Sequence, residues 1–351
     1  MFCQVFVFTC FLVYVFTYFP MRNPFIISLL ALAVMLILSL TIGSVFISPT
    51  ELWLALRGAG SSETFRTILW DIRLPRTVLV ALVGAALAGS GAAYQGLFRN
   101  PLADPYLIGV ASGAGLGAIM AMSVNWPYTM LGLLAVPLAA FIASLLTVYL
   151  VYTFAHVGGS VPTTNLILAG VAVSSFATSL TSFLMLRSTG EVRRAIGWLL
   201  GGVSLVSWDA TLALIPYLAI GLTTLILNGY ALNLLQFGDD QATQMGLNVR
   251  RAKFIIIVAA SLVTAAAVSF AGIIGFVGLV VPHVMRIWWG VDYRRLIPLS
   301  ILGGASALLL ADVLARVVMA PQELPVGIVT ALAGAPFFLW VLRRSKNQGF
   351  W

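Results

Sequence analysis

Apolar residues fall in long uninterrupted blocks along this chain, separated by short polar knots. Between Arg76 and Arg99 no side chain is charged, a gap close to the ~20 residues that carry a helix across the ~30 Å of a bilayer core. Block length and charge gaps predict ten spanning helices, at 25–47, 74–98, 106–124, 129–154, 163–186, 208–228, 251–271, 275–289, 296–317 and 325–342. Prolines at Pro75 and Pro101 are expected to break the second of these at its two mouths. Two stretches are longer than plain turns. Residues 48–72 carry Trp53 and Trp70. Residues 187–207 carry Arg187, Glu191, Arg193, Arg194, Trp198 and Gly201-Gly202. Both read as interfacial or partly re-entrant helices with tryptophans at headgroup depth, or as ordinary amphipathic anchors. Small residues crowd Gly84–Ala93, and Gly109, Gly113 and Gly117 recur every four residues. Such faces let helix backbones approach closely.

Composition settles the class. The chain of 351 residues is 61% hydrophobic and 9% charged, against roughly a quarter charged in soluble domains. It is a membrane protein, and its formal net charge of +8 sits in short loops rather than in a basic, aromatic-interleaved nucleic-acid patch. Seventeen of the nineteen basic residues are arginine, the better partner for directional carboxylate contacts. With the N-terminus inside, Arg22, Arg99, Arg250, Arg251, Lys253, Arg286, Arg294, Arg295, Arg343, Arg344 and Lys346 lie on the cytoplasmic side. Arg57, Arg66, Arg73, Arg76, Arg187, Arg193, Arg194 and Arg316 fall outside, against the usual bias. These external arginines call for an acidic partner. Cys3 and Cys10 are seven apart on one helical face, too far to bridge. Residues 1–20 lack a basic start and a cleavage site, so they do not read as a signal peptide. Either Met21 is the working start or residues 1–20 form an appended apolar helix, and residues 21–351 form one ten-helix domain.

Three motifs carry mechanism. The longest cytoplasmic loop, 236–250, holds Gly238, Asp239 as a candidate N-cap, and Gly246 where a terminating glycine belongs. It predicts a short exposed helix over about 238–247, suited to docking a soluble partner. The run Gly272–Arg286 places glycines three apart before Pro282 and His283, the mark of a tightly packed, bent helix. His283 reads as a satisfied buried histidine more readily than as a proton relay. Asp312 and Arg316 are four apart and can pair on one helix face, with Arg316 near Arg73 and Arg76. No Gly-x-x-x-x-Gly-Lys-[Ser/Thr] phosphate loop is present, since neither Lys253 nor Lys346 follows a glycine. Power therefore arrives from a partner. No chain of acids runs through the spans, which argues against a proton- or ion-driven carrier. No paired His/Asp metal set or Ser–His dyad lies inside them, which argues against an intramembrane enzyme.

The blocks Arg73-Leu-Pro-Arg76, Gly84-Ala-Ala-Leu-Ala88, Gln95–Pro105, Gly275-Phe-Val-Gly-Leu279, Pro282-His283, Ala311-Asp312 and Glu323-Leu-Pro-Val-Gly327 together resemble the FecCD family. These are the membrane subunits of ABC importers for ferric siderophores, haem and vitamin B12, and the resemblance runs from about residue 25 to 345. It implies an all-α, ten-helix type II importer permease, dimeric around a central pathway in the bacterial cytoplasmic (inner) membrane, with both termini cytoplasmic. The implied partners are a second permease subunit, identical or paralogous, two ATP-binding cassette ATPase subunits and a substrate-binding protein. No cofactor and no resident metal are implied. Arg73, Arg76 and Arg316 match the family's outer arginines, which bind glutamates of the binding protein. Residues Gly238, Asp239, Asp240, Gln241, Ala242, Thr243, Met245, Gly246 and Leu247 match its ATPase-coupling helix, with Asp240 where Glu is frequent. Asn100, Leu102, Thr163 and Thr164 match its cytoplasmic gate, although Pro162 before the threonine pair departs from the pattern. Ser174, Ser175, Thr178 and Ser179 are expected to face the pathway, small and uncharged as a bulky cargo requires. The expected cargo is an iron compound, a ferric siderophore or haem. Cobalamin is the alternative, and an ion-gradient carrier is the remoter one.

Overall fold

The computed structural model describes residues 23–43, 47–57, 66–124, 130–158, 161–187, 192–203 and 207–345. The apolar segment 1–20 with Cys3 and Cys10 lies outside them, as do Arg22, Glu191 and Lys346. Fourteen helices account for nearly all of the described chain. They are α1 (Pro24–Thr41), α2 (Pro49–Arg57), α3 (Ile68–Leu97), α4 (Val110–Met122), α5 (Met130–Ala155), α6 (Thr163–Arg187), α7 (Val192–Leu199), α8 (Trp208–Leu227), α9 (Gly229–Leu235), α10 (Asp239–Gln244), α11 (Val249–Ala271), α12 (Val277–Trp289), α13 (Tyr293–Val317) and α14 (Val326–Ser345). Eight of them, α1, α3, α5, α6, α8, α11, α13 and α14, are long and apolar enough to cross a membrane.

Each predicted span meets a helix, but α1 ends at Thr41 rather than 47, and two helices are too short to cross the core. Helices α4 and α12 have 13 residues each, about 20 Å, less than the ~30 Å hydrocarbon core. Gly109 at φ +86° separates α4 from a tight turn at Pro105–Ile108. Gly272 and Phe276, at φ +71° and +68°, hold residues 272–276 out of the helix before α12. Gly109 therefore starts the helix rather than sharing its glycine face. Non-helical backbone at membrane depth must be satisfied by the protein itself. Here the Tyr106 hydroxyl donates to the Ile274 carbonyl at 2.9 Å, and the Ile274 N–H returns a bond to that hydroxyl at 3.3 Å.

Pro75 does not break its helix. The first turns of α3, Ile68–Arg73, are wide, and the Leu74 N–H reaches back to the Leu69 carbonyl. This π turn absorbs a proline that would clash in a regular helix. Pro101 behaves as expected, because α3 ends at Leu97 and Arg99 follows with φ +52°.

The centre of the bundle is α3, buried along Val83–Leu97 on all sides. It packs against α13 where Gly84 faces Gly304, so closely that a methyl group on either would run into the other's carbonyl. Gly91 meets Gly278 of α12 in the same way, and Gly113 and Gly117 of α4 lie on Ala143 and Ala139 of α5. Small-residue faces set these approaches because lipid supplies no hydrophobic drive between helices. Trp198 was expected at headgroup depth. Instead it is buried with Ala114, Ala118 and Val268, because α7 folds back onto the bundle. Trp53 and Trp70 are exposed, as an interfacial position requires.

Candidate functional site

Helix α3 connects two polar sites at opposite ends of the bundle. At its start, Arg76 donates Nε and Nη2 to Asp312 Oδ1 at 3.1 and 3.0 Å, and Nη1 to Glu323 Oε2 at 2.6 Å. Arg316, one turn after Asp312, brings Nε within 3.0 Å of Asp312 Oδ2 and donates to the Ser39 carbonyl and hydroxyl. Ser39 in turn bonds Thr77. Arg73 donates to the carbonyls of Leu40 and Thr41, which close α1. Gly43 lies under the guanidinium groups of both Arg73 and Arg316.

The sequence expectation that these three arginines gather at one mouth is met. They do not, however, stand free on the surface. Arg73 and Arg316 are 5% exposed, Arg76 carries a side chain 13% exposed, and Asp312 is fully buried. Glu323, at 45%, is the open member. A buried carboxylate is tolerable only when it is paired, and removing one partner costs about 3–5 kcal/mol. The cluster thus ties together the ends of α1, α3, α13 and the turn before α14. Sequence spacing gave the Asp312–Arg316 pair, but nothing local announced Ser39 or the role of Glu323.

At the other end, the Gln236 amide donates to the Gly96 carbonyl in the last turn of α3. The short helix α10 follows at once. Gly238 precedes it with φ +101°, and Gly246 leaves it with φ +87°. Both values lie where only glycine is at ease. Gly238 rather than Asp239 is the N-cap. The Asp239 carboxylate instead pairs with Lys253 of α11, which fixes the angle between α10 and the next span. Thr243 Oγ1 donates to the Asp239 carbonyl, and the Leu247 N–H closes the turn on the Ala242 carbonyl at 3.0 Å. Ala242 is buried, whereas Asp240, Gln241, Thr243, Met245 and Gly246 are exposed. The base of this element is anchored by Asn233, which donates to Asp292 at 2.6 Å. Arg294 chiefly, with this amide, holds the Asp292 carboxyl down at about 2 against the opposing effect of burial.

Asn100 Oδ1 accepts from the Leu102 N–H at 2.9 Å, so this residue shapes its own turn. The backbone of Pro101, between them, lies beside His283 of α12. Thr163 and Thr164 open α6, and among the described residues no hydrogen bond joins them to Asn100 or Leu102. Helix α6 exposes Ser175 and Thr178, while Ser174 turns inward toward Gly109. The Ser175 hydroxyl is satisfied by the Val171 carbonyl and that of Ser179 by the Ser175 carbonyl. Asp104 begins the turn at Pro105 and accepts from the Tyr106 N–H at 2.8 Å. Burial pushes its carboxyl up to about 6, and the Tyr106 bond opposes that rise.

Known proteins carry the same pattern. The model of the FecCD transport family matches residues 31–344. The ABC transporter permease protein YvrB of Bacillus subtilis, itself uncharacterized, is 41% identical over 95% of this chain and 98% of its own length. The cobalamin import system permease protein BtuC of Halobacterium salinarum is 46% identical over 81% of this chain and 75% of its own. The hemin transport system permease protein HmuU of Yersinia pestis is 39% identical over 91% of this chain and 95% of its own. A metal-chelate type ABC transporter solved in an inward-facing conformation superposes with a TM-score of 0.77 at 29% identity, over 90% of this chain and 97% of that one. With the helical bundle, the arginine–acid cluster and the short exposed helix in place, the chain belongs to the FecCD transport family of ABC importer permeases.

Proposed function

We propose that this chain is the permease through which an iron compound, a ferric siderophore or haem, passes from a binding protein to the cytoplasm. Separate ATPase subunits supply the driving force. The observation that carries the reading is the placement of the two sites on α3. The arginine cluster lies near its start, at Arg76, and the exposed helix α10 hangs from Gly96 in its last turn, about 30 Å away along the axis. A buried, small-residue helix is a stiff link between a docking face and a power input. The outer end receives the binding protein. Arg76 is the docking arginine within reach, and an acidic group on the partner engages it by displacing the exposed Glu323. Arg73 and Arg316 hold it in place from below. Helix α10 seats in the ATPase, presenting Asp240, Gln241, Thr243 and Met245. The turn at Asn100 and Leu102, with Thr163 and Thr164, forms the inner gate, and Ser175 and Thr178 line the passage between two copies or paralogues of the chain.

The relatives' names divide between haem and cobalamin, and the uncharged serine and threonine face of α6 suits either bulky ring. The test is uptake into proteoliposomes holding the chain, its ATPase and its binding protein. ATP-dependent accumulation of a ferric chelate or haem is expected, and accumulation of cobalamin alone would move the substrate to the alternative. Uptake driven by a sodium or proton gradient without the ATPase would overturn the reading altogether.

A further inference from the structure

A cleft of about 480 Å³ opens where the end of α5 meets the start of α11, lined by Tyr152, His156, Asn248, Arg250, Arg251 and Phe254. It lies outside every site described above. Arg250 and Arg251 are both exposed, and among the described residues no carboxylate lies within ion-pair distance of either. Of the nearest acids in sequence, Asp239 is already engaged by Lys253 and Asp240 is exposed on α10. Two adjacent unpaired guanidinium groups form a strong site for a phosphate, which each can grip through two N–H donors. The floor is aromatic, with Tyr152 and Phe254 edge to face at 5.7 Å.

What leads into the cleft selects the occupant. Along α5, Ile142, Leu146 and Tyr149 are exposed, 63, 55 and 64% respectively. Their spacing places them on one helical face, which Tyr152 and His156 of the cleft continue at i+3 and i+7 from Tyr149. On α11, Phe254 and Val258 extend the same apolar surface. A continuous apolar stripe thus ends at a basic, aromatic-floored cleft at the membrane boundary. That is the outline of one molecule with an apolar tail and a phosphodiester head.

We propose that this cleft binds an anionic phospholipid, its phosphodiester on Arg250 and Arg251 beside His156 and its acyl chains along the stripe of α5. Basic pockets between spans on the cytoplasmic side are where anionic headgroups are held. The leaflet assignment rests on the proposed orientation, with loop 236–250 cytoplasmic; the affinity itself does not. A lipid seated there braces α11 beside Lys253, the residue that sets the angle of α10.

The test uses the purified full chain in detergent, with phosphatidylglycerol and phosphatidylcholine of matched acyl chains, read by native mass spectrometry. The wild type should retain phosphatidylglycerol over phosphatidylcholine. Arg250→Gln/Arg251→Gln should lose that preference by about tenfold. Arg294→Gln, which removes an exposed arginine elsewhere, should leave it intact. Equal retention by the wild type and the double variant overturns the proposal. So does an equal loss in Arg294→Gln, which would reduce the effect to diffuse charge. Displacement of the lipid by millimolar inorganic phosphate would make this a soluble-anion site. A double variant that keeps its lipid but fails to assemble with the ATPase would assign the cleft to that partner. Because the measurement needs neither ATP nor transport, it stands or falls apart from the importer reading.

Discussion

Asp312 shows why the outer arginines are hard to test by the obvious substitution. Its carboxylate is fully buried and compensated from both sides by Arg76 and Arg316. Reversing Arg76 to Glu would leave two buried acids facing each other, so weakened docking would be indistinguishable from a damaged fold. Arg76→Ala should lower thermal stability in detergent by about 3 kcal/mol. Glu323→Gln should cost under about 1 kcal/mol, because its side chain is 45% exposed. If Glu323 occupies the place of a partner's carboxylate, Glu323→Gln should also bind the binding protein several-fold more tightly. Unchanged or weaker affinity in surface plasmon resonance would remove Glu323 from that role. Asp104 gives a second measurable effect, of opposite origin. Its carboxyl titrates near 6 in the fold, above the ~3.9 of an unfolded aspartate. Between those values the folded state binds the extra proton, so stability falls as pH rises from about 4 to 6 and levels off above. The drop is at most about 3 kcal/mol. Asp104→Asn keeps an acceptor for the Tyr106 N–H and should flatten that part of the stability curve. A slope that survives in Asp104→Asn would place the titration elsewhere.

Among the helices, the close pair α3 and α13 carries the sharpest expectation. Gly84 and Gly304 each occupy the space where the other's side chain would be. Gly84→Leu should therefore push the two helices apart, at a cost of about 3 kcal/mol or more, seen as a lower melting temperature of the detergent-solubilised chain. Gly197, whose added methyl meets nothing within 4 Å, should accept alanine with little change. Helix α10 is governed by its ends instead. Gly246→Pro removes the N–H that bonds the Thr243 carbonyl at 2.9 Å, and φ there is +87°, which proline does not adopt. Coupled uptake should fall with the melting temperature nearly unchanged, while the ATPase turns over without transport. Normal coupling in that variant would reject α10 as the power input. These elements differ in how far the sequence announced them. The ten apolar blocks were plain, because length and charge gaps are local. The start of α4 at Val110 rather than 106 was not, because residues 106–109 are as apolar as any helix. Only the backbone angle at Gly109 sets that start, whereas the break at 272–274 between two spans was legible. Trp198 was misread for a related reason. Tryptophan's preference for the interface is a statistical pull, whereas its burial here is set by α7 folding against α4 and α11. The Asp312–Arg316 pair was legible at four residues' spacing. The Arg76–Glu323 contact spans 247 positions and became visible only once α3 and α13 were brought side by side.

Taken as one body, the molecule holds its charge at two ends and almost none between. Asp312, fully buried, lies between two arginines, with Arg76 on one carboxylate oxygen and Arg316 beside the other. Among the described residues no group of histidine, cysteine and acid side chains is placed to hold a metal ion. The proposed importer reading requires the two polar ends to meet proteins on opposite faces of the membrane. That requirement is geometric, and it can be checked without transport. In a background with Cys3 and Cys10 replaced by serine, a single cysteine at Gln322 beside the arginine cluster should react with a membrane-impermeant maleimide in intact spheroplasts. A single cysteine at Gln241, exposed on α10, should react only after the membrane is opened. Labelling of both from the same side would place the two sites on one face. The stiff link through α3 would then join nothing across the bilayer, and the docking and coupling roles would fail together, whatever substrate the chain carries.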